Sequence, residues 1–247
     1  MGNEAGEWIL YGVDEDAEEC LHTADELIDY VNQVGFLPLF KNEIPGFSVE
    51  ERTTPLYWWS GIVEKDPWEW RAVIARSGKL AYGKFFDKKA GFISLDWLPA
   101  FVNYRRDGYD FDALWDDGRA QVRQKKIMDH FLGENEDEEL LSFVLKNEAG
   151  FGKDGEKNFE GVVTALQMEM YLCIREFRQK RNKRGEEYGW ALSVYATPEH
   201  IWGREMVTSA YGETPTESAE RIADHLKDVY PVATDAQIKN LIGSGIR

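Results

Sequence analysis

Cysteine is nearly absent from this 247-residue chain, with only Cys20 and Cys173 present. They share no metal or redox spacing, so reduced thiols and a cytoplasmic protein are expected. No apolar run approaches the ~18 residues of a membrane span. The acidic N-terminus also lacks a signal-peptide pattern, so no membrane partner is expected. Positive charge is scarce at one end: residues 1–60 carry Lys41 and Arg52 against a long series of acids. The whole chain has a net charge of -16 and a sequence pI near 4.7, a balance that opposes long-range attraction to phosphate. P-loop and G-x-S-x-G signatures are missing. His22, His130, His200 and His225 have no partner at a metal-ligand spacing. No metal or cofactor is therefore expected.

What remains is a globular composition. The chain is 43% hydrophobic and 30% charged, with nine Trp and thirteen Phe, enough to bury a real core. Tyr57-Trp58-Trp59, Trp68 and Trp70 read as core more readily than as a surface for stacking bases. No repeat, low-complexity stretch or long Pro/Gly/Ser linker divides the chain.

Periodicity and punctuation give the elements. Asp14–Val34 reads as one helix with Leu21, Ala24, Leu27, Ile28 and Val31 on its stripe, stopped by Gly35. Phe36–Phe40 reads as an apolar connection, since Pro38 argues against a central strand. Ser48 and Glu51 have capping-box spacing before a short helix. Asp66-Pro67-Trp68-Glu69 places an acceptor, a proline and a glutamate where a helix starts, and Gly78 ends it. Strands are expected at Lys79–Phe85 and Ala90–Ile93. Helices are expected from Ser94 to Arg106 and from Asp116 to Phe131. Thr214-Pro215-Thr216-Glu217 and Thr234-Asp235-Ala236-Gln237 are capping boxes opening two closing helices, Thr216–Val229 and Asp235–Leu241.

The stretch from Asp137 to Thr197 carries the sharpest pattern: helix, Gly-rich loop, helix, strand, basic turn, strand. The helices are expected at Glu138–Asn147 and Lys157–Met168. Tyr171–Phe177 is expected to pair antiparallel with Tyr188–Tyr195. Gly150–Gly155 matches G-x-G-x-x-G, but a helix precedes it and no parallel βαβ unit surrounds it, so it reads as a loop between helices. Between the strands, six of the eleven residues Arg175–Gly185 are Lys or Arg. The order is that of a winged helix. The fold expected is α+β and helix-rich: tandem winged-helix modules at 14–108 and 109–200, with small antiparallel hairpins, and a helical extension at 201–247.

The chain read in this order resembles the AlkZ/YcaQ-type winged-helix DNA glycosylase superfamily and its AlkZ-related members. In that superfamily a first winged helix runs into a Leu-Gly-aromatic-Leu-Gln-aliphatic-Gln/Asp segment. Val34-Gly35-Phe36-Leu37-Pro38-Leu39-Phe40 stands in its place. Leu80–Phe86, Ala90–Ser94 and Trp97-Leu98-Pro99 resemble the stretch that follows. Glu187-Tyr188-Gly189-Trp190 through Tyr195-Ala196-Thr197-Pro198 resembles the close of the second module. The resemblance implies nucleic-acid binding and N-glycosidic cleavage, in which a polar pair positions water and steadies a cationic sugar. The matching positions are Pro38 and Phe40, which supply no such oxygen, so no catalytic residue is assigned. Gln167-Met168-Glu169 looks similar but lies at the end of the second module's helix. The expected nucleic-acid contacts are Arg175, Arg178, Lys180, Arg181, Lys183 and Arg184, with Lys88, Lys89, Arg105 and Arg106 as further basic sites. DNA is the expected partner. An active glycosylase using Gln167 and Glu169, taken as partly exposed, and a protein-interaction module are the alternatives.

Overall fold

Residues 9–136, 138–182 and 184–243 are described by the computed structural model. The first helix, α1 (Ala24–Val34), buries Leu27, Ile28, Val31 and Val34. It starts ten residues later than the periodicity predicts. The reason is Thr23, whose extended backbone and side chain, accepting from the Glu26 amide, set the N-cap. Phe36–Pro38 then forms a strand, β1, where a connection was expected. Pro38 is tolerated because β1 is an edge strand, where a missing N–H leaves no unfilled rung. Ser48 and Glu51 bond each other as their spacing predicts, around a single 3₁₀ turn, Glu50–Arg52.

Helix α2 (Pro67–Ser77) begins at Asp66 and ends at Gly78, as its punctuation predicts. Asp66 is fully buried because its carboxylate caps Trp68 and also accepts the amides of Trp59 and Gly61. Strands β2 (Leu80–Phe86) and β3 (Lys89–Ser94) make a tight hairpin, with Asp87 and Lys88 both at positive φ. The sheet order is β1-β3-β2. Helix α3 (Leu98–Arg106) follows. Of the helix predicted over Asp116–Phe131 only α5 (Val122–Met128) forms, and a separate helix, α4 (Phe111–Asp116), ends where the predicted one begins. Gly118, at φ 69°, breaks the run, and Gln121 with Gln124 restarts it through a reciprocal cap.

The second unit repeats the plan. A two-residue edge strand, β4 (Leu140–Leu141), replaces the first turn of the helix expected from Glu138. Helices α6 (Ser142–Glu148) and α7 (Phe159–Met168) then lead to β5 (Cys173–Arg181) and β6 (Glu187–Ala196). The sheet order is β4-β6-β5, and Ile174 pairs with Tyr195 and Phe177 with Ser193, antiparallel as expected. Both sheets thus follow edge strand, helix, hairpin, the order of a winged helix. The Gly150–Gly155 segment is a loop from α6 to α7. Phe151 is buried against Phe159, and a Cβ at Gly155 would collide with the Gly150 carbonyl.

The chain closes with α8 (Pro198–Trp202), α9 (Arg204–Val207), α10 (Pro215–Val229) and α11 (Asp235–Gly243). Thr214 and Glu217 complete the predicted capping box of α10. These helices return to the first unit: Ser218 accepts from Asn103 Nδ2 at 3.0 Å, and His225 stacks on Trp97 at 4.1 Å. One buried apolar cluster runs from Leu27 through both sheets to Ile242. No described helix is long and apolar enough to cross a membrane.

Candidate nucleic-acid interface

Strands β5 and β6 leave the core together. Cys173, Ile174, Val194, Tyr195 and Ala196 are buried at their base. From Arg178 to Ala191 every described residue is exposed except half-buried Lys180. The outer hairpin is therefore a two-stranded ribbon that projects from the body and buries neither face. Such a ribbon fits the width of a duplex major groove.

Several of its cations are already matched. Arg175 is a clamp rather than a tip residue: Nη1 donates to the carbonyls of Arg76 at 2.7 Å and Ala75 at 3.2 Å, and Nε to Glu139 at 3.1 Å. Arg178 pairs with Glu176, and Arg181 with Glu187 at 3.2 Å. The second pair is exposed and easily exchanged for other partners, whereas Glu176 is mostly covered and also pairs with Arg76. Lys180 Nζ lies 4.2 Å over the Phe143 ring. Among the described residues, Lys180 and Arg184 have no carboxylate in ion-pair reach. Lys183 lies outside the described residues. Lys88 and Lys89 are exposed at the tip of the first hairpin, where the Lys88 amide meets Met168 Sδ at 3.3 Å.

Arg105 and Arg106 are a correction. They are 4% and 3% exposed, so no phosphate backbone can lie against them. Arg105 donates to the carbonyls of Met168 and Ile242. Burial without a carboxylate partner pushes its guanidinium down to about 10. Arg106 grips Glu199 with both terminal nitrogens and the Met170 carbonyl at 2.7 Å. Burial alone would lower it, but Glu199 outweighs that and holds it above its ordinary value. Beside Arg106 lies a cavity of about 590 Å³ lined by Asp110, Asp112, Glu136 and Glu199 together with Arg106 and Arg204. Two of these acids are already matched, Glu199 by Arg106 and Asp110 by Arg204.

The residues at the resemblance's catalytic positions are packing residues. Pro38 is buried at the end of β1, with its carbonyl accepting from Val49 at 2.9 Å. The Phe40 ring sits 5.5 Å from Trp58 and 6.4 Å from Trp68. Gln167 and Glu169, expected to be partly exposed, are 0% and 7% exposed. Gln167 Oε1 accepts the Lys84 amide at 3.0 Å, and Gln124 Nε2 donates to Glu169 at 2.7 Å. They bind the two units to each other and α5 to the end of α7. Of the tryptophans, Trp58 and Trp70 are buried as expected, whereas Trp59 is 44% exposed. Among the described residues, no group of three or more His, Cys, Asp or Glu is placed to hold a metal.

A family model described as AlkZ related matches residues 21–243, which takes in both sheets and the closing helices. The chain belongs to the AlkZ-related family. No curated protein and no solved structure matches it. In this AlkZ-related chain Pro38 ends β1 and Phe40 lies two residues beyond it, and neither side chain carries an oxygen. Sequence reasoning missed the ribbon's exposed Trp190 and the carboxylates that match its arginines. Gly189 just before Trp190 was the available signal for the first, since a glycine inside a strand marks a bulge.

Proposed function

We propose that this AlkZ-related protein binds nucleic acid through the outer half of the β5–β6 hairpin, and that it does not excise bases by the glycosylase route. The observation that carries the reading is local charge. Between Arg178 and Trp190 there are five Lys or Arg and two Glu, in a chain of net charge -16. At physiological salt the screening length is about 8 Å, so a projecting ribbon acts on phosphate while the acidic body is screened. Lys88 and Lys89 are a second phosphate contact in this reading. Contacts of this kind fix position without reading sequence.

The test is a fluorescence-anisotropy titration of labelled DNA at several salt concentrations. Wild type is compared with a variant carrying Ala at Lys180, Arg181, Lys183 and Arg184. Binding should be weak, sequence-tolerant and steeply lost with salt, by about 0.9 log unit per log unit of salt for each phosphate neutralised. The variant should show a flatter slope. Identical slopes would remove the hairpin from the interface. The same preparations, incubated with alkylated duplex DNA and then alkali, should give no protein-dependent strand breaks; breaks would restore the glycosylase reading.

A second reading, docking of a protein partner, is favoured by one feature. Leu56, in a 3₁₀ turn, and Trp59, Ile62 and Val63 after it are exposed in the segment that leads into α2, Leu56 by 71%. An absence of DNA binding at low salt would transfer support to it.

A further inference from the structure

Trp190 is 92% exposed, while the indoles of Trp58 and Trp70 are buried. Exposed Trp59 still rests against other rings, 5.7 Å from Trp58 and 6.3 Å from Trp68. Among the described residues no aromatic ring or cation lies against Trp190. An indole on bare solvent gives up the apolar burial that places most tryptophans in cores, and the backbone holds it there. The strand register passes from Arg178↔Leu192 to Lys180↔Tyr188. Three residues of β6, Gly189 to Ala191, thus stand opposite Gln179 alone. Gly189 takes φ 74° at this bulge, and its carbonyl accepts from Gln179 Nε2 at 3.0 Å. A bulge of this kind turns a side chain out of the regular alternation. Tyr188, two residues back, is 51% exposed.

We infer that Trp190 is a stacking platform for an unpaired nucleobase, so that the hairpin prefers single-stranded nucleic acid to duplex. The inference rests on the reading of the hairpin as a nucleic-acid contact. Charge complementarity selects the occupant. The indole stands on a segment with five cations and two carboxylates, which suits a polyanion whose charges alternate with flat π-faces. Arg178 and Lys180 flank Gln179 across the bulge, so phosphates can sit beside a base laid on Trp190. In a duplex the base faces are occupied by their neighbours, and an indole in the groove meets only base edges. An unstacked base offers the whole face, and stacking is indifferent to which base it is.

The experiment is an anisotropy titration of the full chain with labelled oligo-dT, oligo-rU and a mixed duplex of equal length, at low salt. Wild type should bind both single strands more tightly than the duplex, with quenching of its tryptophan fluorescence. Trp190→Ala should weaken single-strand binding about tenfold, leaving the salt slope and duplex affinity unchanged. Trp190→Phe should recover much of the affinity without the quenching. An unchanged melting curve is expected for both variants, because the residue is 92% exposed and buries very little. A loss with only one of the two strands would identify DNA or RNA as the source of the base. Equal single-strand affinity of wild type and Trp190→Ala, or a preference for duplex, would overturn the inference while leaving the hairpin reading standing. Absence of binding to all three at low salt would end that reading and this inference together.

Discussion

A guanidinium in an apolar interior needs a reason to stay charged, and Arg105 and Arg106 find different ones. Arg106 has a carboxylate, Glu199, and lies 4.8 Å from the centre of the Tyr171 ring. Arg105 has carbonyls, the Met170 sulfur at 4.0 Å, and the rings of Phe101 at 5.1 Å and Phe86 at 6.0 Å. The carbonyls belong to Met168 and Ile242, so one side chain fastens α11 to the end of α7. Removing one member of a buried pair leaves the other unmatched, at a cost of ~3–5 kcal/mol. The Glu199 side chain is 23% exposed and keeps some water. Arg106→Ala should therefore cost about 3 kcal/mol, at the low end of that range. A urea melt would show this as a lower midpoint; an unchanged midpoint would mean that the pair is neutral to folding.

At the level of elements, local grammar was legible wherever caps and periodicity agreed. Asp66-Pro67 and Gly78 bounded α2, and Thr214 with Glu217 opened α10. The Glu217 carboxyl is held below its usual range, chiefly by the Thr214 backbone amide and then by its hydroxyl. Thr214→Ala removes the acceptor for the Glu217 amide and should cost about 1 kcal/mol, whereas Thr214→Ser should cost little. Paired thermal melts would distinguish them, and equal losses for both would show that the hydroxyl is not the cause. Caps misled where a long apolar pattern ran through a hidden break. Residues 14–34 and 116–131 each read as one helix but are helical only from Ala24 and Val122, because an apolar pattern runs on through the preceding turns and a glycine such as Gly118 is tolerated by pattern alone. The two edge strands were unreadable for another reason. Leu37 pairs with Phe92 and Leu140 with Tyr195, more than fifty residues away, and strands of two or three residues carry no periodicity of their own.

Over the whole molecule, burial sets the alkaline limit. Burial pushes the Cys173 thiol and the hydroxyls of Tyr82, Tyr195 and Tyr230 above their ordinary values. In the unfolded chain the thiol ionises near 9.0 and the phenols near 10.0. The folded state keeps protons that the unfolded state releases, so stability is full below pH about 9 and falls as pH rises beyond it. Arg105, lowered to about 10, acts in the opposite sense only above that pH. The urea midpoint should hold from neutral pH to about 9 and then decline, with a smaller first decline in Cys173→Ala. A midpoint independent of pH up to about 10.5 would show that these groups are hydrated in the folded state. Cys20 and Cys173 are both free and buried.

Residue pattern was enough to set the kind and order of most elements, the basic hairpin and the family. Those signals are local: a cap spans four residues, a stripe two turns, a hairpin its own two strands. Tertiary structure alone decided that Arg105, Arg106, Gln167 and Glu169 are interior struts, and that Arg175 clamps α2. It also decided that Trp190 stands in solvent while Trp58 and Trp70 do not. A charged or aromatic side chain has the same composition inside or out. Its place is fixed by partners that the chain delivers from far away, such as Glu199 for Arg106, ninety-three residues on.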